Sequence, residues 1–358
     1  MFAMSPILIC LLLAVISEAR TTYSHHKSVP SDDISSKFEL ENMVSLLSRY
    51  DGEFQTFKQR YNKSYSSMHE ENSRFLNFIS SLLEINHHNQ LYENGQKSYE
   101  IGINHLSDWS DEELSQLTKL KQSNLTGSSY LSSSVKIDLP DSFDWREKGA
   151  VTEVKDQGKC GSCYAFAATG TLEAQIWRKT GKLISLSEQQ IVDCDTNDNN
   201  CYGGFVQDAL SYIKSNGGIE NEENYPYVSG KTADMNPKCN FVKSKVVATD
   251  TGFVKMPAND EEKLKEALVT IGPISALLSA PKSLIKYSKG IFYDKECEKL
   301  RVNHAVLIVG YGTDQTSGTP YWIIKNSWNA SWGEKGYFRL PRNINACKIA
   351  SVPVYPLV

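Results

Sequence analysis

Two cysteines three apart end the run Gln157-Gly158-Lys159-Cys160-Gly161-Ser162-Cys163, directly before the small-residue stretch Tyr164-Ala165-Phe166-Ala167-Ala168. Three chemistries use such a pair: a redox dithiol, half of a zinc site, or a nucleophile at the start of a helix. The other cysteines and the histidines separate them. Cys10 lies in an N-terminal apolar run, which leaves Cys160, Cys163, Cys194, Cys201, Cys239, Cys297 and Cys347. Seven is odd, so three bridges leave one free thiol in an oxidising compartment. Reserving both thiols of the pair for redox work leaves an odd number again, and no strand pattern precedes the motif. A zinc site lacks partners, because no second Cys-x-x-Cys follows and His304 is the only histidine after Leu139. The nucleophile reading fits best. Cys163 stands where unpaired backbone N–H groups and the helix dipole favour a thiolate, and His304 is the one imidazole in the same portion that can serve as its base.

These residues need elements to hold them. Tyr164–Lys179 reads as a helix closed by Gly181, Glu188–Asp193 as a short helix capped by Ser187, and Phe205–Lys214 as a third, ended by Asn216-Gly217-Gly218. Strand patterns follow at Ile274–Leu278, Ala305–Tyr311, Tyr321–Lys325 and Tyr337–Leu340, with one helix near Glu261–Val269 behind Asp260. Helices first and strands afterwards predict an α+β fold of two lobes with a cleft between them, divided at about residue 249. Upstream, Met68–Tyr92 lacks Gly and Pro, and its Phe75, Phe78, Ile79, Leu82 and Ile85 recur at helical spacing. Asn94-Gly95 ends that helix, Tyr99–Leu106 alternates like a strand, and the Ser-rich residues from about 120 to 137 read as a linker.

The chain of 358 residues has 40% hydrophobic and 22% charged residues, a globular composition. A net charge of -4 gives no basic field for nucleic acid. The charge is uneven: residues before Leu139 carry -5 and the rest +1. Ile7–Ile16 is too short to span a bilayer, and Ser17-Glu18-Ala19 places small residues two apart, so residues 1–19 read as a signal peptide. The secretory pathway follows, with the lysosome or the extracellular space as destination.

The sequence resembles a zymogen of the papain-like cysteine peptidases, nearest the cathepsin L group. Five motifs carry the likeness: Asp144-Trp145-Arg146; Gln157 through Phe166; Cys201-Tyr202-Gly203-Gly204; Asn303-His304-Ala305-Val306; and Lys325-Asn326-Ser327-Trp328 with Ser331-Trp332-Gly333-Glu334-Lys335-Gly336-Tyr337. The Cys-Gly-Ser-Cys-Tyr run with a downstream His and Asn is the family's signature. The likeness implies that Cys163 attacks a peptide carbonyl, His304 moves the proton, and Asn326 orients the imidazole. It also implies that Gln157 donates to the oxyanion and that Trp328 covers the Asn326–His304 bond. Gly203 and Gly204 are the strip on which a substrate backbone lies. The likeness implies that Phe205, Val206, Leu277 and Ala305, with Val352 at the floor, line an apolar pocket for the residue two before the scissile bond, and that Asn303 and Trp328 also bind substrate. The implied bridges are Cys160–Cys201, Cys194–Cys239 and Cys297–Cys347. No cofactor and no metal are implied, and the partners are protein and peptide substrates of a monomer.

Residues 20–137 resemble the family's inhibitory propeptide, ahead of a peptidase domain at 138–358. Glu70, Arg74, Phe78, Ile85 and Asn89 sit at the spacings of its long helix motif, with Ser81 where an Asn is usual. Gly102, Asn104 and Asp108 match its second motif, with Leu106 in place of Phe. Such a segment lays its linker through the cleft as an intramolecular inhibitor until acid protonates its carboxylates. Two departures stand out in the peptidase portion: Asn329 and Lys348 each occupy a position where Gly is usual. Asn62, Asn124 and Asn329 begin N-glycosylation sequons. An endopeptidase is the expected activity; the alternatives are an exopeptidase or a catalytically inactive binding protein on the same fold. Exopeptidases of this kind need a blocking loop with extra histidines or cysteines, which the portion after Leu139 lacks, and inactive relatives lose the nucleophile.

Overall fold

The computed structural model describes residues 48–121, 127–130, 138–232 and 238–358. The expected signal peptide, the sequon at Asn124 and most of the expected linker lie outside them. The chain divides into two compact units. One comprises residues up to Leu83 with Ser107–Trp109, and the other Glu84–Leu106 with Ser110–Val358.

In the first unit the helical residues 48–60 and the start of the Met68–Glu93 helix share an aromatic core. Phe54 and Phe57 are buried against Phe75 and Phe78, with ring centroids 5.2 Å apart for Phe54–Phe75 and 4.8 Å for Phe57–Phe78. The buried Asp108 carboxylate accepts from Lys63 Nζ at 2.8 Å and Tyr65 Oη at 3.0 Å, while Arg74 donates to its backbone carbonyl. Ser81 donates to the Ser107 carbonyl at 2.9 Å.

The second unit is built on the Cys163–Thr180 helix. Every residue from Cys163 to Ile176 except Phe166 is buried, because Ala and Gly side chains let neighbours approach from all sides. Gly181 stops it in a left-handed conformation, its N–H bonded to the Trp177 carbonyl. The Glu188–Cys194 and Val206–Asn216 helices pack on it, the first capped by Ser187 as expected.

One sheet orders its strands Ser128–Ser129, Gly252–Lys255, Val354–Leu357, Ile274–Leu278, His304–Thr313, Pro320–Lys325 and Tyr337–Pro341, with Phe143–Asp144 also paired to His304–Thr313. Its register sets Leu277 opposite Ala305 and Leu278 opposite His304, which puts the imidazole at the first residue of its strand. Cys163, Tyr164, Ala165, Ala167, Ala168 and Leu172 lie in one apolar core with Leu277, Ala305 and Val354, so helix and sheet share their interior.

Two sequence expectations change. The division into lobes at about residue 249 is not clean, since Phe143–Asp144 and Ser128–Ser129 both join the sheet. The Tyr99–Leu106 strand stops at Ile101, where Gly102 N–H turns to the Lys286 carbonyl and Asn104 Oδ1 takes the Leu106 N–H. What remains pairs antiparallel with Tyr287–Gly290. The stretch read as a linker begins with Leu120 bridged in parallel to Gly204.

Candidate active site

Cys163 is the first residue of its helix and the only free cysteine among the described residues. Ser162, at the cap position, makes no capping bond, because its hydroxyl is spent on Tyr227 Oη at 2.7 Å. The first N–H groups of the helix therefore face the sulfur; those of Cys163 and Tyr164, with Ala305 N–H, favour its thiolate. His304 is fully buried, and its Nε2 lies 2.8 Å from Asn326 Oδ1. That oxygen also accepts the Ser327 N–H, so the imidazole nitrogen is the donor, and Nδ1 makes no hydrogen bond of full geometry, which leaves it able to take a proton. Trp328 is fully buried with its ring 4.8 Å from the His304 ring, and Trp332 meets it edge-on at 5.1 Å, shielding the bond from water.

Gln157 is held from both ends. Its Oε1 accepts from Ser327 Oγ at 2.7 Å, which turns Nε2 toward the cleft, where it donates to the Cys160 carbonyl at 2.9 Å and the Leu117 carbonyl at 3.2 Å. Its backbone N–H bonds to the Ser327 carbonyl at 2.8 Å. Ser327 therefore links Gln157 to Asn326, a position the sequence shows within a motif but without a sign of its role.

The segment Leu117–Lys121 crosses this site. The Lys119 carbonyl accepts from Cys163 Sγ at 3.8 Å, and Lys121 N–H bonds to the Gly204 carbonyl at 3.2 Å. Gly203 has φ of 105°, and a Cβ there would stand 2.8 Å from the Lys119 carbonyl; a Cβ on Gly204 would strike Asp198 and Tyr164. The strip has to be glycine for a chain to lie on it. Covered in this way, the pair is electrically silent. Burial pushes the Cys163 thiol up to about 12, against the pull of the neighbouring N–H groups. Burial also takes the His304 imidazole down to about 4, against the pull of Asn326 and the Leu117 carbonyl. Thiol and imidazole are both neutral in this state.

Phe205, Val206, Leu277 and Ala305 belong to one buried apolar cluster, on which Val352, Val302 and Leu120 pack while partly exposed. Nothing local in the sequence marks Val302 or Leu120 as neighbours of this cluster, since tertiary folding alone brings them there. Asn303 does not offer its side chain to the cleft: Oδ1 accepts the Ala280 N–H at 2.7 Å and Nδ2 donates to the Ala280 carbonyl at 3.0 Å. Disulfides join Cys160 to Cys201, Cys194 to Cys239 and Cys297 to Cys347. The first fastens the nucleophile's loop to the glycine strip. Asn62 is exposed, whereas Asn329 donates its amide to Asp156 at 3.4 Å. Asn329 and Lys348 take φ of 65° and 63°, the left-handed conformation for which Gly is the easy choice.

Behind the site a buried ion network joins sheet and helices. Lys155 Nζ bonds Glu188 at 2.7 Å and lies 3.5 Å from Glu173, while Lys325 Nζ donates to Thr152 at 2.9 Å. Burial lowers the Lys325 ammonium to about 8.

Comparison with known proteins agrees with this geometry. The model for the papain family of cysteine proteases matches residues 139–357, and that for the cathepsin propeptide inhibitor domain matches 54–114. Cathepsin L of Sarcophaga peregrina is 43% identical over 89% of this chain and 96% of its own length. Cathepsin K of Mus musculus is 40% identical over 89% and 98%. Among solved structures, digestive procathepsin L 3 of Tenebrio molitor larval midgut aligns with a TM-score of 0.79 at 40% identity, covering 86% of this chain and 99% of that one. The chain is a papain-family cysteine protease. It is of the cathepsin L type and carries its propeptide.

Proposed function

We propose that this chain is the secreted zymogen of a cysteine endopeptidase that works through Cys163, His304, Asn326 and Gln157, and that residues 20–137 are the part removed. The observation that carries the reading is the occupied cleft: the Leu117–Lys121 segment fills the place of a substrate while Gln157 and Cys163 both contact its carbonyls. Once that segment leaves, water reaches the site, the burial that keeps both groups neutral is relieved, and the thiol proton passes to His304 Nδ1. The Cys163 sulfur then adds to the scissile carbonyl carbon, and the oxyanion is met by Gln157 Nε2 and the Cys163 N–H. The C–N bond breaks as His304 returns the proton to the amine, leaving a thioester. Water, giving its proton to His304, hydrolyses the thioester and restores the thiol.

Acid is the natural trigger. Four carboxylates of the 84–121 segment pair with lysines further along the chain: Glu84 with Lys286, Glu100 with Lys289 at 2.8 Å, Asp111 with Lys282 at 2.8 Å, and Glu113 with Lys159 at 3.1 Å. Protonation removes each attraction. The test is to acidify the purified zymogen and assay a whole protein and an end-blocked peptide, alongside Cys163→Ser. Cleavage of both substrates by the parent and of neither by the variant is expected. Removal of single terminal residues only would establish the exopeptidase alternative, and a processed parent that cleaves nothing would make the chain a binding protein.

A further inference from the structure

Two acidic side chains lie buried directly behind the glycine strip. Asp195 and Asp198 sit in the loop between the Glu188–Cys194 helix and Cys201, with only 3% and 5% of their surface exposed. Asp198 Oδ1 accepts the N–H of Phe205 at 2.8 Å, and Asp195 Oδ1 accepts that of Asn197 at 2.9 Å. The remaining oxygen of each, Oδ2, is buried without a hydrogen bond; the Asn197 side chain also bears on the Asp195 carboxyl, and the two carboxyls lie within hydrogen-bonding reach of one another. A Cβ on Gly204 would come 2.5 Å from Asp198 Cγ, so the carboxyl is the wall against which the strip rests.

The surroundings supply no counter-charge. The Val206–Asn216 helix presents Asp208, a third acid, and Tyr212; the Cys163–Thr180 helix presents Tyr164, whose hydroxyl donates to the Asn200 carbonyl. Asp193, on the Glu188–Cys194 helix, is bound to Gln189 and Tyr225. The ammonium of Lys121 rests on the Asn197 carbonyl and leaves when the propeptide leaves. Two buried carboxylates side by side without a cation repel strongly, whereas one carboxylic acid bonded to one carboxylate is held together by the proton between them.

We propose that Asp198 is a positioning residue for the substrate strip, and that it holds Gly203, Gly204 and Phe205 in place only while it shares a single proton with Asp195. This rests on the peptidase reading of the cleft. Burial, and then the neighbouring charge of Asp195, raise the Asp198 carboxyl to about 9, and burial raises Asp195 as well. A raised acid binds its proton more tightly folded than unfolded. The shared proton is therefore kept up to the folded value, and the arrangement is lost as pH climbs through it. Loss of that proton leaves two facing carboxylates that push apart, and Asp198 Oδ1 draws away from the Phe205 N–H. Substrate binding then weakens without any change at Cys163 or His304.

The experiment follows kcat and KM separately from pH 5 to pH 10 for the acid-processed parent, Asp195→Asn and Asp198→Asn, on an end-blocked peptide with Leu two before the scissile bond. An amide at either position donates a permanent N–H in place of the shared proton. The parent's KM is expected to rise by nearly tenfold per pH unit once the pair titrates. In each amide variant KM at pH 10 is expected to stay within about twofold of its value at pH 5, since one N–H···O bond replaces the titrating proton. A flat parent KM, or amide variants that reproduce the parent's rise, would overturn the proposal. So would variants whose KM is raised by the same factor at every pH, since that marks a role in structure alone. No turnover by the parent even at pH 5 would instead overturn the peptidase reading, and the strip's role with it.

Discussion

Gln157 Nε2 donates to the Leu117 carbonyl at 3.2 Å, so the group proposed to meet the oxyanion is already engaged by the chain's own upstream segment. The same segment leans on the apolar pocket through Leu120 and lies on the glycine strip. Its grip should therefore depend on that one side chain. Leu120→Asp loses part of the roughly 1.5–3 kcal/mol that full burial of a Leu supplies and sets a charge against apolar walls, together enough to raise the open fraction about tenfold. The check is activity at pH 7 before any cleavage is visible on a gel. About tenfold more activity than the parent is expected, and equal activity would show that Leu120 holds nothing.

His88 gives the zymogen a second response to acid. It is buried, its Nε2 lies 3.0 Å from the Tyr99 carbonyl, and its ring sits 4.6 Å from that of Tyr99, which in turn packs on Phe292 at 4.7 Å. Burial lowers the imidazole below its ordinary value of 6.5, against the pull of the Tyr99 carbonyl; Lys97 lowers it further, and Asp294 and Glu84 act the other way. A depressed histidine supports the folded arrangement while neutral, above pH 6.5, and that support fades as pH falls from there toward the folded value. Gln keeps a donor for the Tyr99 carbonyl and never charges. His88→Gln should self-process several times more slowly at pH 4–5, with little change at pH 7, as followed by gel over time. An identical pH profile would remove His88 from the mechanism.

Substrate choice follows from the pocket. Phe205, Leu277 and Ala305 of the proposed pocket are buried and apolar, and Val352 and Val302 pack on the same cluster while partly exposed. A cationic side chain would be desolvated there without a partner, whereas Leu gains burial of roughly 1.5–3 kcal/mol. Paired peptides differing only in Leu or Arg two before the scissile bond should differ at least about tenfold in kcat/KM. Val352→Glu should narrow that ratio or reverse it. A parent that prefers Arg, or a variant that leaves the ratio unchanged, would place the pocket elsewhere.

The sequence made some of this readable and hid the rest for physical reasons. The Cys163–Thr180 helix showed itself through its small residues and closing Gly181, and the strands around His304 through runs of branched apolar residues. The short Asp111–Gln116 helix was missed because six residues carry no periodicity, although Ser110 and Glu113 form its capping box. Tyr287–Gly290 was missed because Tyr-Ser-Lys-Gly does not alternate; it becomes a strand only by pairing with Tyr99–Ile101. At the site, Cys163 and His304 were legible from cysteine parity and the scarcity of imidazole. The carboxyl pair and the seat of Leu120 were not, since both arise from residues that only the folded chain brings together.

The central claim is that Cys163 is the nucleophile and that the upstream segment keeps it un-ionised. Treating the chain with a thiol-alkylating epoxide before and after acid processing, with the adduct mapped by mass and turnover followed in parallel, tests both halves at once. Because burial holds the covered thiol up to about 12, the unprocessed chain should react at least about a hundredfold more slowly. After processing, one equivalent should label Cys163 and abolish turnover. Equal labelling before and after processing, or full turnover by chains labelled at Cys163, would contradict the account.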